Sequence, residues 1–245
     1  MNDWEVKGRT AVFYRRVANF IQELYPAVLR DQVVFDASFH HSAEAIPLAK
    51  SVALPRQAVA EGAVWGRTWE SGYFKLSAKV PAAWEGRRLA AWLNFGGEGL
   101  VYSAVGVPLY GITSGSAYVE HYNKDIYRLD APARPGQTIE LLVETAANNL
   151  FGVLESPKPV KREDPARHGT WEAKVNKIRL CTYDHEVWQL WLDMRWLLQL
   201  WEDLDRESVR AVRILKCLFD ATVAYCGQPA DAAEARAVLA RELSK

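Results

Sequence analysis

The sequence predicts a mainly β protein, an antiparallel β-sandwich of the jelly-roll kind, led by one helix and followed by a helical segment. Three observations carry that expectation. Short β-rich runs between Trp65 and Tyr183 are separated by Gly, Pro and Asn. Ahead of them, apolar residues recur three and four apart. The same helical period returns after Asp184. The chain therefore divides into an N-terminal helix with an irregular segment (1–64), a sandwich (65–183) and a helical segment (184–245).

Taken in order, "RTAVFYRRVANFIQELYPAVLRD" places Val12, Phe13, Val17, Phe20, Ile21 and Leu24 on one helical stripe. Pro26 should disturb its end. Residues 36–64, with Pro47 and Pro55, keep no period and read as irregular. "YFKLSAKV" then alternates and stops at Pro81. "RRLAAWLNF", "GLVYSAV", "VPLYGI", "AYVEHYN", "TIELLVETA" and "KVNKIRLCTY" read as further strands. The polar, proline-rich stretch "ESPKPVKREDPARHG" reads as a long surface excursion. After Asp184, a plausible N-cap, Val187, Trp188, Trp191, Met194, Leu198 and Trp201 recur at helical spacing. A second helix is expected over about 206–225, stopped by Gly227 and Pro229. A third should start at Asp231, with Glu234 spaced as in a capping box.

Composition excludes several function classes. Lys plus Arg and Asp plus Glu are 30 each, so no global basic field favours nucleic acid or an anionic membrane. No apolar run approaches the roughly 20 residues of a membrane span, and no secretory leader opens the chain. Cys181, Cys217 and Cys226 fit neither a zinc knuckle nor a redox pair. A reduced, cytoplasmic setting is the expectation. The 10 tryptophans are many for this length, and such rings either fill cores or stack on flat ligands such as sugars.

Site motifs are judged by spacing. In "WLNFGGEGLVYS" the glycines lead into strand material, so no helix N-terminus faces a phosphate. They are better suited to a turn between antiparallel strands. His40 and His41 are adjacent and point apart in a strand, which makes a metal site with Asp36 a poor reading. His121, His168 and His185 are isolated. No Gly-x-Ser-x-Gly elbow occurs, and "GITSGS" reads as a loop. Glu98, Glu120, Glu140 and Glu144 lie in the β region, and Glu202, Asp203 and Asp205 near a helix end. All read as solvated carboxylates rather than a glycosidase pair. The aromatics Trp65, Trp69, Tyr73 and Phe74 could stack on sugars or pack the sandwich, since alternate sandwich positions are core.

Several stretches, in this order, resemble the N-terminal region of the cytosolic-type α-mannosidases of glycoside hydrolase family 38. They are Trp65-Gly66, Tyr73-Phe74-Lys75, the Pro81 to Gly86 turn, Glu98 to Tyr102, and Pro108 to Thr113. Glu144, Asn148, Leu150, Phe151 and Gly152 continue the likeness. Val105-Gly106 departs from it where Asp-Gly is expected. The resemblance implies a galactose-binding-like jelly roll from a retaining, exo-acting, zinc-dependent α-mannosidase. Its nucleophile and zinc ligands, with a His-x-His-x-Asp run, would belong to a following catalytic domain. This chain has no His-x-His, so no catalytic residue and no metal ligand is assigned here, and zinc is expected only in that domain.

The expected partners are that catalytic domain, further copies of the protein, and carbohydrate, with no nucleic acid and no membrane. Trp65, Trp69, Tyr73 and Glu98 are the residues expected to meet a sugar, Glu98 by pointing toward the active-site mouth. The alternatives are a free-standing carbohydrate-binding module on the same aromatics, or an interaction protein without any sugar connection.

Overall fold

The computed structural model describes residues 8–113, 124–148 and 172–243. Along the chain run α1 (Gly8–Ala27), β1 (Leu29–Val34), β2 (Asp36–Ser42), α2 (Leu48–Ser51), β3 (Gln57–Val59), β4 (Val64–Arg67) and β5 (Ser71–Lys79). Then come β6 (Leu89–Asn94), β7 (Glu98–Ser103), β8 (Pro108–Ile112), β9 (Ile126–Arg128), β10 (Thr138–Ala146), β11 (Glu172–Lys174) and β12 (Lys177–Tyr183). Three helices follow, α3 (His185–Asp203), α4 (Val209–Ala224) and α5 (Pro229–Leu243). They sort into two units, Asp31–Thr182 and the residues before and after it.

In the first unit a six-stranded sheet has the order β3-β2-β5-β10-β7-β8, every neighbouring pair antiparallel. A four-stranded sheet runs β1-β12-β6-β9, and β11 pairs with β4. Period-2 alternation explains the core: Phe74, Leu76 and Ala78 of β5 are buried with Ile139, Leu141 and Val143 of β10. Phe74 stacks on Phe39 at 5.2 Å, tilts on Phe95 at 4.4 Å and meets the edge of Trp65 at 5.6 Å. Removing a side chain that size from water contributes about 2 kcal/mol before any packing term. This is the antiparallel, jelly-roll-type β architecture that the sequence predicts.

The expected irregular segment 36–64 is different. It holds β2, α2 and β3, and β2 lies beside the central β5 over its whole length, from Asp36 opposite Ser77 to Ser42 opposite Ser71. "DASFHHS" lacks the aliphatic alternation that marks a strand, and only Phe39 is fully buried in it. Its pairing comes from its neighbour, a case of tertiary context overriding propensity. Two three-residue strands, β9 and β11, also carry too little sequence pattern to be seen locally. All of "AYVEHYN", the excursion at 155–170 and the last three residues of "GITSGS" lie outside the described residues.

In the second unit α1 packs on α3 and α4, and α5 packs on the same two helices. Val17, Ile21 and Leu24 of the α1 stripe are buried, and the helix ends one residue beyond Pro26. Asp184 caps α3, its carboxylate accepting the Val187 N–H at 3.0 Å. Trp191 and Trp201 are buried, against Tyr25 at 4.9 Å and Tyr14 at 5.3 Å. Ser208 caps α4, so that helix begins three residues later than the sequence suggests. Helix α5 begins at Pro229 rather than Asp231, proline being suited to a first helical turn. Asp231 instead accepts the N–H groups of Cys226 and Gln228, at 3.0 and 2.9 Å, which replaces the expected capping box. Among the described residues no helix is long and apolar enough to cross a membrane.

Candidate functional site

The sequence-predicted residues converge on one end of the six-stranded sheet, where β5 and β7 begin and β10 ends. Register defines that end: Ala146 lies opposite both Ser71 and Glu98. The glycine stretch is a tight turn that carries the chain from β6 of the four-stranded sheet to β7 of the six-stranded sheet, rather than the expected turn between paired antiparallel strands. A Cβ on Gly97 would sit 2.0 Å from the Ala146 carbonyl oxygen, so only glycine permits this approach. At Gly96, φ is +78°, and a Cβ there would press on the Lys174 backbone at 3.1 Å.

Glu98 follows and is exposed, yet held. Its N–H donates to the Asn148 side-chain oxygen at 2.9 Å, and the Asn148 amide donates back to its carboxylate at 2.8 Å. The Thr145 hydroxyl donates to the Glu98 carbonyl at 2.7 Å. Asn148 itself is buried, which makes it a fixed clamp. Two positions along the same sheet face, the Tyr102 hydroxyl donates to the Glu144 carboxylate at 2.9 Å. Burial first, then that hydrogen bond and the Glu144 charge, push the Tyr102 hydroxyl up to about 12.

Trp69 occupies the turn between β4 and β5. The Glu70 N–H donates to the Arg67 carbonyl at 2.9 Å, and Trp69 carries φ of +69°, a left-handed value normally left to glycine. Its N–H donates to the Ala147 carbonyl at 2.7 Å, and its side chain is 42% exposed. Beside it, the Glu70 carboxylate accepts the Arg67 N–H at 2.7 Å and meets the His41 ring at 2.8 Å. Burial works to raise its pKa, but these hydrogen bonds outweigh burial and hold the carboxyl below its usual range.

Two candidate residues stand elsewhere in role. Trp65 is 4% exposed and donates its indole N–H to the Phe95 carbonyl at 2.7 Å, inside the core. Tyr73 is 1% exposed, its hydroxyl donating to the Ile46 carbonyl and accepting the Ile46 N–H, both at 2.7 Å. Neither ring presents a face to a ligand. Both rings are packed: Trp65, on β4, lies against Phe74 and Phe95, and Tyr73, on the central strand β5, is covered on its outer side by the 43–56 connection. Trp69 and Glu98 remain accessible.

The other titratable candidates are dispersed. His40 meets the Pro55 carbonyl at 3.0 Å, Glu140 pairs with Lys75 at 3.4 Å, and Glu202 accepts from Tyr14 at 3.0 Å. Glu120, His121 and His168 lie outside the described residues. Among the described residues no three His, Cys, Asp or Glu side chains gather as a metal would need. What sequence reasoning missed is the Asn148 clamp and the Tyr102–Glu144 pair. Each joins positions 50 or 42 residues apart, and only strand register brings them together.

Alpha-mannosidase 2C1 of Mus musculus is 23% identical over 214 residues, covering 82% of this chain and 19% of that protein. Alpha-mannosidase G of Dictyostelium discoideum is 25% identical over 149 residues, 61% of this chain and 13% of that protein. The chain thus spans less than a fifth of the length of these relatives. A β-glucuronidase of Ruminococcus gnavus superposes with a TM-score of 0.43 at 10% identity, over 63% of this chain and 28% of that one, too loosely to bear on chemistry. Residues 33–177 match the family described as "Alpha-mannosidase, jelly roll domain". The chain belongs to that family of α-mannosidase jelly roll domains.

Proposed function

We propose that this chain serves as a non-catalytic N-terminal domain of an α-mannosidase acting in the cytoplasm. The parent enzyme hydrolyses terminal α-D-mannosides with retention, using zinc held by a separate catalytic domain. The present residues support that domain and its contacts between subunits. One observation carries the reading: a family match over 33–177 in a chain that aligns across 82% of its own length with only 19% of a mannosidase. The carboxylates agree with it. Glu98 is clamped by Asn148, Glu144 by Tyr102 and Glu70 by Arg67 and His41, which suits structural roles better than a proton-shuttling pair.

The test is an assay of the purified 245-residue chain on a chromogenic α-mannoside, with metal analysis alongside. No mannose release and no stoichiometric zinc are expected. Activity should appear when the chain is expressed in frame with a segment carrying a His-x-His-x-Asp run. Release of mannose by the chain alone would overturn the reading, as would tightly held zinc.

A further inference from the structure

The Arg67–Glu70 turn carries a tryptophan where backbone geometry favours glycine. Glycine would adopt φ near +69° without the Cβ clash and would keep the N–H bond to Ala147. Strained positions persist where the surrounding structure enforces them, and they concentrate at ligand contacts. Here the strained residue is a tryptophan that is 42% exposed.

The peptide that anchors this turn also anchors an acid. The Ala147 carbonyl accepts from Trp69, the Ala147 N–H donates to the Glu70 carbonyl at 2.8 Å, and the next residue, Asn148, clamps Glu98 at two points. One short stretch of β10 and its exit therefore fixes both an exposed aromatic ring and an exposed carboxylate. An aromatic face covers the apolar C–H side of a pyranose, while a carboxylate accepts hydrogen bonds from its hydroxyls through several lone pairs. Charge-assisted bonds of that kind are the stronger ones.

We propose that Trp69 and Glu98 form a pyranoside platform at this end of the sandwich, with Asn148 as the positioning residue that holds the Glu98 carboxylate. The platform's assignment to mannosides in particular rests on the function proposed above.

Indole-labelled protein tests it directly. The Trp69→Phe variant identifies the Trp69 indole resonance by its disappearance from the spectrum. That resonance should then shift saturably when the unaltered chain is titrated with methyl α-D-mannopyranoside. Glu98→Gln should raise the dissociation constant about tenfold. By isothermal titration calorimetry, which needs no indole reporter, Trp69→Gly should abolish methyl α-D-mannopyranoside binding while raising Tm, because it relieves the left-handed strain. No shift of the Trp69 resonance up to the solubility of the sugar overturns the proposal, as does a lowered Tm in Trp69→Gly with binding retained. Saturation by methyl α-D-glucopyranoside but not the mannoside would support the platform while counting against the mannosidase reading, so the two failures remain separable.

Discussion

Phe74 in the sandwich unit and Trp201 in the helical unit are each 1% exposed, yet different rules bury them. Phe74 is covered by Phe39, which meets it because β2 pairs with β5 in one register, and by Trp65 of β4 and Phe95 after β6, brought in from other sheets. A slip of one residue would turn Phe74 to the opposite face. Trp201 lies on a helix whose own period decides which side is apolar, and Trp191 and Met194 are buried on that side with it. Burial in the helices is thus set by local spacing, whereas burial in the sheets depends on distant partners.

Substitutions can break that comparison. The largest losses are expected at the two matched aromatics: Phe74→Ala and Trp201→Ala should each cost about 4 kcal/mol in denaturant unfolding, as buried aromatic truncations do. If the two units melt separately, each variant should lower only its own transition. A smaller effect is expected at a helix end. Asp184→Ala removes the acceptor for the Val187 N–H and should cost about 1 kcal/mol.

Alkaline titration sharpens the sheet side. The Tyr102 hydroxyl is pushed up to about 12 from an ordinary 10.0, so folding favours its neutral form. Its contribution is complete below the unfolded value and is lost as pH rises through the folded one. Stability of the native chain should therefore fall between about pH 10 and 12, with a late-titrating tyrosine in phenolate absorbance. Tyr102→Phe should remove one phenolate from that late signal, beside those of Tyr73, Tyr110 and Tyr127, which burial also pushes up, and lessen this part of the decline. The smallest effect is expected at Trp196, which is 62% exposed on the same helix as Trp201. Trp196→Ala should change unfolding by less than about 0.5 kcal/mol. A large loss there would mean that the helical period alone does not set burial.

Legibility followed the same divide. The α1 and α3 stripes and the Asp184 cap could be read because each depends on residues within one or two turns. The long strands β5, β10 and β12 could be read because alternation along a strand is a local signal, and β6 because a short apolar run bounded by turn residues is another. Strand β2 could not, since its polar pattern becomes a strand only beside β5. Trp65 and Trp69 illustrate the limit most clearly. Four residues apart in one turn-flanked stretch, they looked alike as stacking candidates, yet one is core and the other exposed.

By itself the sequence determined the class of fold, the helical faces, the need for glycine at the β6–β7 turn and the likeness to α-mannosidases. Each of these rests on short-range periodicity, backbone permissiveness or an ordered set of motifs. The tertiary structure decided the rest: which aromatics face water, that Asn148 reaches Glu98, and that Glu144 meets Tyr102. Those outcomes depend on which strands become neighbours and in what register, and closure of a sheet between distant segments leaves no local trace in the chain.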